Sequence, residues 1–161
     1  MKKFNNEKNN MTNTKKITLG GIIIALYIVL TGVFASLSFG AIQIRVANCL
    51  YGLALPFPYL VIPMTLSVVL SNLIFGGLGM IDIICGSLTT FVVTYTISKC
   101  KKPILIIPII IFGVGAGIAL YLSKLIQVPF LVLFIQIALG QVIPSILSYI
   151  IVRRIRYCTF L

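Results

Sequence analysis

The sequence predicts an all-α membrane protein with six transmembrane helices, and three observations predict it. Of the 161 residues, 60% are hydrophobic and 9% charged, where a soluble domain has about a quarter charged and under half apolar. The apolar residues fall in runs long enough to cross a bilayer core of about 30 Å, which takes about 20 residues of helix. The basic residues gather at the two ends and in one break between the runs, the pattern of a membrane protein with basic cytoplasmic loops.

The elements follow in chain order. Residues 1–16, rich in Asn and Lys, have the composition of a disordered cytoplasmic tail. Residues 17–37 form the first span, longer than the 7–15 apolar residues or so of a signal peptide and read as retained. The stretch from Val46 to Met80 would be near 50 Å as one helix, too long for one crossing. Pro56, Pro58 and Pro63 interrupt it, and closely spaced prolines break helices. Two short spans meeting near residues 56–62 are expected. Residues 82–98, 103–122 and 128–152 supply the last three, so a six-helix domain covers 17–152 and a basic cytoplasmic tail covers 153–161.

Charge parity tests that count. Lys15 and Lys16 must lie on the same side as Lys99, Lys101 and Lys102 if both groups are cytoplasmic. An even number of crossings between them requires two spans within 46–80. The N and C termini are then both cytoplasmic, and only Arg45 and Lys124 among the thirteen basic residues face outward.

Composition also excludes functions. There is no His, and the acidic residues are Glu7 and Asp82 alone, so the groups for acid–base or metal catalysis are nearly absent and no enzyme is expected. No cofactor or metal is called for. A net charge of +11 suggests nucleic acid on a soluble chain, but here the charges flank membrane spans. Cys49, Cys85, Cys100 and Cys158 form no C-x-x-C pair and read as small packing residues. No G-x-x-x-x-G-K-[ST] loop is present, so energy for uphill transport would come from a partner.

Within the spans the polar groups favour the outer half. Gln43, Arg45, Asn48, Asn72 and Asp82 can converge on one outward-facing pocket, and a charge kept in a membrane is a site hypothesis by default. Two alternatives stand beside it: Arg45 and Asp82 pair at the interface, or Asp82 caps its helix. Gly21 and Ala25 form a small-x3-small pair that admits a close helix, as do Gly113 and Gly117. Such pairs pack either inside the bundle or against another chain. Phe39, Tyr51, Phe57 and Phe75 are rings that can stack on a planar ligand or anchor at the interface.

Ser38-Phe39-Gly40-Ala41-Ile42-Gln43-Ile44-Arg45-Val46 resembles the S-F-G-x-I-Q-F-R-V signature of the queuosine-precursor transporter (QueT) family. Ser71-Asn72 through Gly76-Gly77, and Asp82 through Gly86-Ser87-Leu88-Thr89-Thr90, resemble its A-N-…-G-G and D-…-G-S-L-A-T segments in order and spacing. The resemblance implies an S component of an energy-coupling factor (ECF) transporter in the plasma membrane. Such a protein is a six-helix bundle that captures a 7-deazaguanine outside. It relies on a transmembrane coupling subunit and two cytoplasmic ATPases. It further implies a coupling contact at Gly21 and Ala25 and a gating loop at Gln43 and Arg45. One position departs: the family usually has Glu where this chain has Asn48. Asp82 would then read the donor edge of the base, with Asn48 or Asn72 on its carbonyl. Either the substrate differs (a neutral nitrile, or another vitamin or nucleobase), or the usual Glu is not a ligand. An accessory membrane subunit with no ligand is the rival from another class.

Overall fold

The structure, a computed structural model, describes residues 12–35, 45–76 and 79–158, the last three as backbone alone. Six α-helices are present among the described residues: α1 Asn13–Val33, α2 Val61–Phe75, α3 Met80–Lys99, α4 Ile106–Ile126, α5 Phe130–Gly140 and α6 Val142–Cys158. Short 3-10 helices precede α2 (Pro58–Leu60) and α4 (Pro103–Leu105), and a longer one covers Val46–Ala54. Five stretches are long and apolar enough to cross a membrane, with α5 and α6 counted together as Phe130–Ile155. The expected all-α multi-pass bundle is therefore present. Its second crossing has a different form from the one predicted.

Packing contacts reveal the direction of each element. Gly20 of α1 lies against Pro63 at the start of α2, and Gly32 against Phe75 at its end. So α1 and α2 run parallel, and the chain between them must return through the bundle. Arg45 opens that return beside Asn72, near the end of α2. Tyr51 then passes Tyr27 of α1, and the Gly52 N–H donates to Ser148 Oγ on α6 at 2.8 Å. Pro58–Leu60 leads into α2. The return is the nine-residue 3-10 helix, where a second α-helical span was expected. A 3-10 helix rises about 2.0 Å per residue against about 1.5 Å for an α-helix, so nine residues cover about 18 Å instead of about 14 Å. Every residue from Ala47 to Ala54 is buried. That shields the irregular backbone from lipid, the condition under which such backbone is tolerated at membrane depth.

Close approach at glycine sets the remaining neighbours. At Gly52 a side chain would collide with Ser148 and Val152 of α6. Gly113 and Gly117 of α4 face Val93 and Thr89 of α3, with no space for a Cβ, so this small-x3-small pair packs inside the bundle. Bare backbone there lets α3 and α4 approach closely, where dispersion and backbone contacts replace a hydrophobic drive that lipid cannot supply. The turn into α3 uses Gly79 at φ 74°, a conformation that favours glycine.

Three helices begin with the same triplet: Val61-Ile62-Pro63, Ile106-Ile107-Pro108 and Val142-Ile143-Pro144. Proline is tolerated in a first turn because the N–H it lacks has no intrahelical partner there. At Pro144 the same effect interrupts the helix inside the expected last span, which remains one membrane-length stretch. Pro144 cannot donate to Gly140, so α5 and α6 meet at Gln141.

These directions bring Lys15, Lys16, Lys99, Lys101, Lys102, Arg153 and Arg154 to one end of the bundle, and Arg45, Gly79 and Lys124 to the other. The parity argument thus has its geometric counterpart. Gly52→Val should destabilise the protein by about 1–3 kcal/mol through overpacking, read as a lower melting temperature in detergent; an unchanged one contradicts the close contact. In a cysteine-free background, cysteines at positions 16, 101 and 154 should label from one face of the membrane, and those at 79 and 124 from the other.

Candidate functional site

The site is built on the 3-10 helix. Three residues per turn place every third side chain in line, so Arg45, Asn48 and Tyr51 form one stripe down its length. On α3 the i, i+4 spacing of Asp82, Gly86 and Thr90 forms the facing stripe. All five of these side-chain-bearing residues are buried, and the polar groups sort into two tiers.

The first tier lies near the end of the bundle away from the basic clusters. Arg45 Nη2 donates to Asn72 Oδ1 at 3.0 Å and lies 3.8 Å from Asp82 Oδ2. Asn72 Nδ2 donates to the Asp82 backbone carbonyl at 3.2 Å. The Tyr121 hydroxyl, from α4, donates to Asp82 Oδ1 in a short hydrogen bond. Asp82 Oδ2 is buried and accepts no hydrogen bond among the described residues. With Arg45 at 3% and Asp82 at 1% exposure, the two charges face each other under the cover of the chain. Asp82 does not cap α3, because its carboxylate is turned to Tyr121 and Arg45.

The second tier lies deeper. The Tyr27 hydroxyl donates to Asn48 Oδ1 at 2.9 Å, and Asn48 Nδ2 donates to Gln141 Oε1 at 2.7 Å. Tyr51 shares a 2.9 Å hydrogen bond with Thr90 and stacks near-parallel on Tyr27, ring centroids 6.1 Å apart. Three elements and the junction between α5 and α6 contribute to this tier, and every one of its side chains is neutral. Gly86 falls between the tiers: a Cβ there would stand 3.0 Å from Asn72 Nδ2, 3.7 Å from Asp82 Oδ1 and 3.9 Å from Tyr121 Oη. Its bare backbone is what lets those three groups converge.

Of the residues singled out in the sequence, Arg45, Asn72 and Asp82 meet directly, and Asn48 lies one 3-10 turn below Arg45. Gln43 and Phe39 lie outside the described residues. Gly21 and Ala25 are exposed on the outer face of α1, and a Cβ at Gly21 would meet nothing within 4 Å. That pair therefore does not pack inside the chain's own bundle. Phe57 packs on Tyr59, and Phe75 on Gly32. Gln136 is exposed; the buried amide of this region is Gln141. Tyr27, Gly86, Thr90, Tyr121 and Gln141 are the residues sequence reasoning missed. The spacings R-x-x-N-x-x-Y and D-x3-G-x3-T carry a signal for Tyr51, Gly86 and Thr90. Nothing local marks Tyr27, Tyr121 or Gln141.

A buried ion pair resists loss of one partner more than loss of both. Asp82→Asn, which leaves Arg45 charged without its carboxylate, should cost about 3–5 kcal/mol, whereas Tyr121→Phe, which deletes a single hydrogen bond to a charged group, should cost about 1.5–3 kcal/mol. Melting of the two variants in one detergent checks the order, and an Asp82→Asn protein as stable as wild type would show that the pair is not held in a low-dielectric interior.

A family model described as "QueT transporter" matches residues 17–156. Neither the curated proteins nor the solved structures provide a match. The family match spans every α-helix and both polar tiers, so with its five apolar membrane-length stretches this chain is a multi-pass membrane protein that belongs to the QueT transporter family.

Proposed function

We propose that the chain is the substrate-binding S component of an ECF-type importer and that it captures a queuosine precursor, a 7-deazaguanine, at the two polar tiers. The observation that carries this reading is Asp82 Oδ2, a buried carboxylate oxygen that accepts no hydrogen bond among the described residues, set beside Arg45 and Asn72. Unfilled acceptor capacity in a low-dielectric interior is costly unless a donor fills it. A guanine-like base presents a ring N–H and an amino group on one edge, which a carboxylate accepts. The amide of Asn72 or Asn48 suits its ring carbonyl, and the Tyr27–Tyr51 pair offers aromatic faces to a planar ligand.

Orientation supports capture from outside. Basic termini and loops favour the cytoplasmic side, which leaves the Arg45 end facing out and both termini in. Gln43, two residues before Arg45, belongs to the gating segment in this reading. The chain has no phosphate-binding loop of its own, so uptake depends on a transmembrane coupling subunit and two cytoplasmic ATPases. The outer face of α1 at Gly21 and Ala25 is the docking surface for the coupling subunit. Within the window that qualifies it as a membrane span, α1 is 22% buried, against 33–39% for the other four, so it has the most surface left to cover.

Purified protein should show saturable thermal stabilisation by 7-cyano-7-deazaguanine, since a ligand that binds only the folded state raises its melting temperature. Gly86→Val, which pushes Asn72 away from Asp82, should abolish that shift. A folded wild-type protein stabilised by no deazaguanine would refute the substrate, and stabilisation by no base or vitamin at all would point to an accessory subunit. Uptake into cells should cease when the coupling ATPases are deleted, and Gly21→Leu should reduce uptake while leaving the thermal shift intact.

A further inference from the structure

We infer that the site selects a neutral planar base over the same base bearing an ammonium group, and that Asn48 is the residue that sets this preference. The inference rests on the proposed function and specifies the ligand class of the same site.

The first argument is a charge count. The chain has two acidic residues, Glu7 and Asp82. Asp82 is the one carboxylate among the described residues, and it already faces Arg45 at 3.8 Å and Tyr121. The first tier is thus neutral in sum, and the second tier contains only hydroxyls and amides.

A neutral ligand leaves that balance undisturbed. An ammonium group would add a positive charge, near Arg45, to an interior with no second anion among the described residues. Burying a charge without a counter-charge is strongly unfavourable in a protein interior and in a membrane. The rings of Tyr27 and Tyr51 can attract a cation at a face but carry no net charge, so they do not replace the missing anion.

The second argument concerns where an anion could stand. Asn48 lies one 3-10 turn, about 6 Å, below Arg45, and Gly86 lies one α turn, also about 6 Å, below Asp82. Asn48 thus stands on the inner tier with Tyr27 and Gln141, next to the Tyr51–Thr90 contact. Its amide oxygen accepts from Tyr27, and its amide nitrogen donates to Gln141. An aspartate has the same shape. Tyr27 would still donate to it, and the Gln141 amide can turn to present its nitrogen as a donor. Asn48→Asp thus offers the inner tier a second carboxyl group of nearly the same shape, which an ammonium ligand can pair with as an anion.

The test uses full-length protein in detergent and three ligands that share one ring: 7-cyano-, 7-hydroxymethyl- and 7-aminomethyl-7-deazaguanine. The hydroxymethyl and aminomethyl compounds match in size and differ in charge, so wild type alone decides the main point. Wild type should bind both neutral compounds at least about tenfold more tightly than the ammonium compound at pH 7. Asn48→Asp should shrink that ratio by about tenfold or more. Equal or tighter binding of the aminomethyl compound by wild type overturns the inference while leaving the deazaguanine reading intact. Binding of none of the three by folded wild type overturns both. An unchanged ratio in a folded Asn48→Asp protein removes Asn48 from the selection.

Discussion

The buried 3-10 helix is the constraint from which the rest of the architecture follows. Two parallel neighbours, α1 and α2, demand a return crossing, and among the described residues Arg45 to Leu60 make it. A tighter helix covers more distance per residue, so the short segment reaches deep into the bundle. Three residues per turn then put Arg45, Asn48 and Tyr51 on one line. Because this crossing is enclosed by α1, α3 and α6, its polar stripe faces other polar side chains and not lipid. The same irregular backbone exposed to hydrocarbon would be prohibitively costly.

Enclosure of that helix depends on close contacts at small residues. Gly52 admits α6, and Gly113 with Gly117 joins α4 to α3. The second of these contacts has a direct consequence for the polar site. It sets α4 against α3 so that Tyr121 reaches Asp82, and it does so from a helix otherwise nearly all aliphatic. The interruption at Gln141 acts in a similar way. Pro144 interrupts the helix ladder, and the residue at the break is the one that reaches Asn48. Features that look like helix defects thus fall where a side chain is needed in the interior.

The two faces of α1 have different environments. Ile23, Tyr27 and Thr31 are buried, and Tyr27 touches both Asn48 and Tyr51. Gly21 and Ala25 lie on the exposed face one turn or so away. One helix thus carries a side chain of the inner polar tier on one face and exposed small residues on the other.

Several conclusions were already legible in the linear sequence. The low charge content and the length of the apolar runs identified an all-α membrane protein. The basic clusters at Lys15–Lys16 and Lys99–Lys102 required an even number of crossings between them, because clustered basic residues favour the cytoplasmic side. The rarity of charge inside the spans singled out Arg45 and Asp82, since a charge is retained in such surroundings only at a cost. What the tertiary structure decided is the form of the second crossing and the membership of the site. Helix type over Val46–Ala54 depends on the distance to be spanned and on burial by α1, α3 and α6, which no local pattern encodes. Tyr27, Tyr121 and Gln141 look unremarkable in their own segments; they matter because packing brings them to Asn48 and Asp82. The two glycine pairs make the same point. Gly21-x3-Ala25 and Gly113-x3-Gly117 follow the same small-x3-small pattern, yet one is exposed and the other is sealed against α3. Spacing determines that a helix can approach closely, and only the fold determines which helix does.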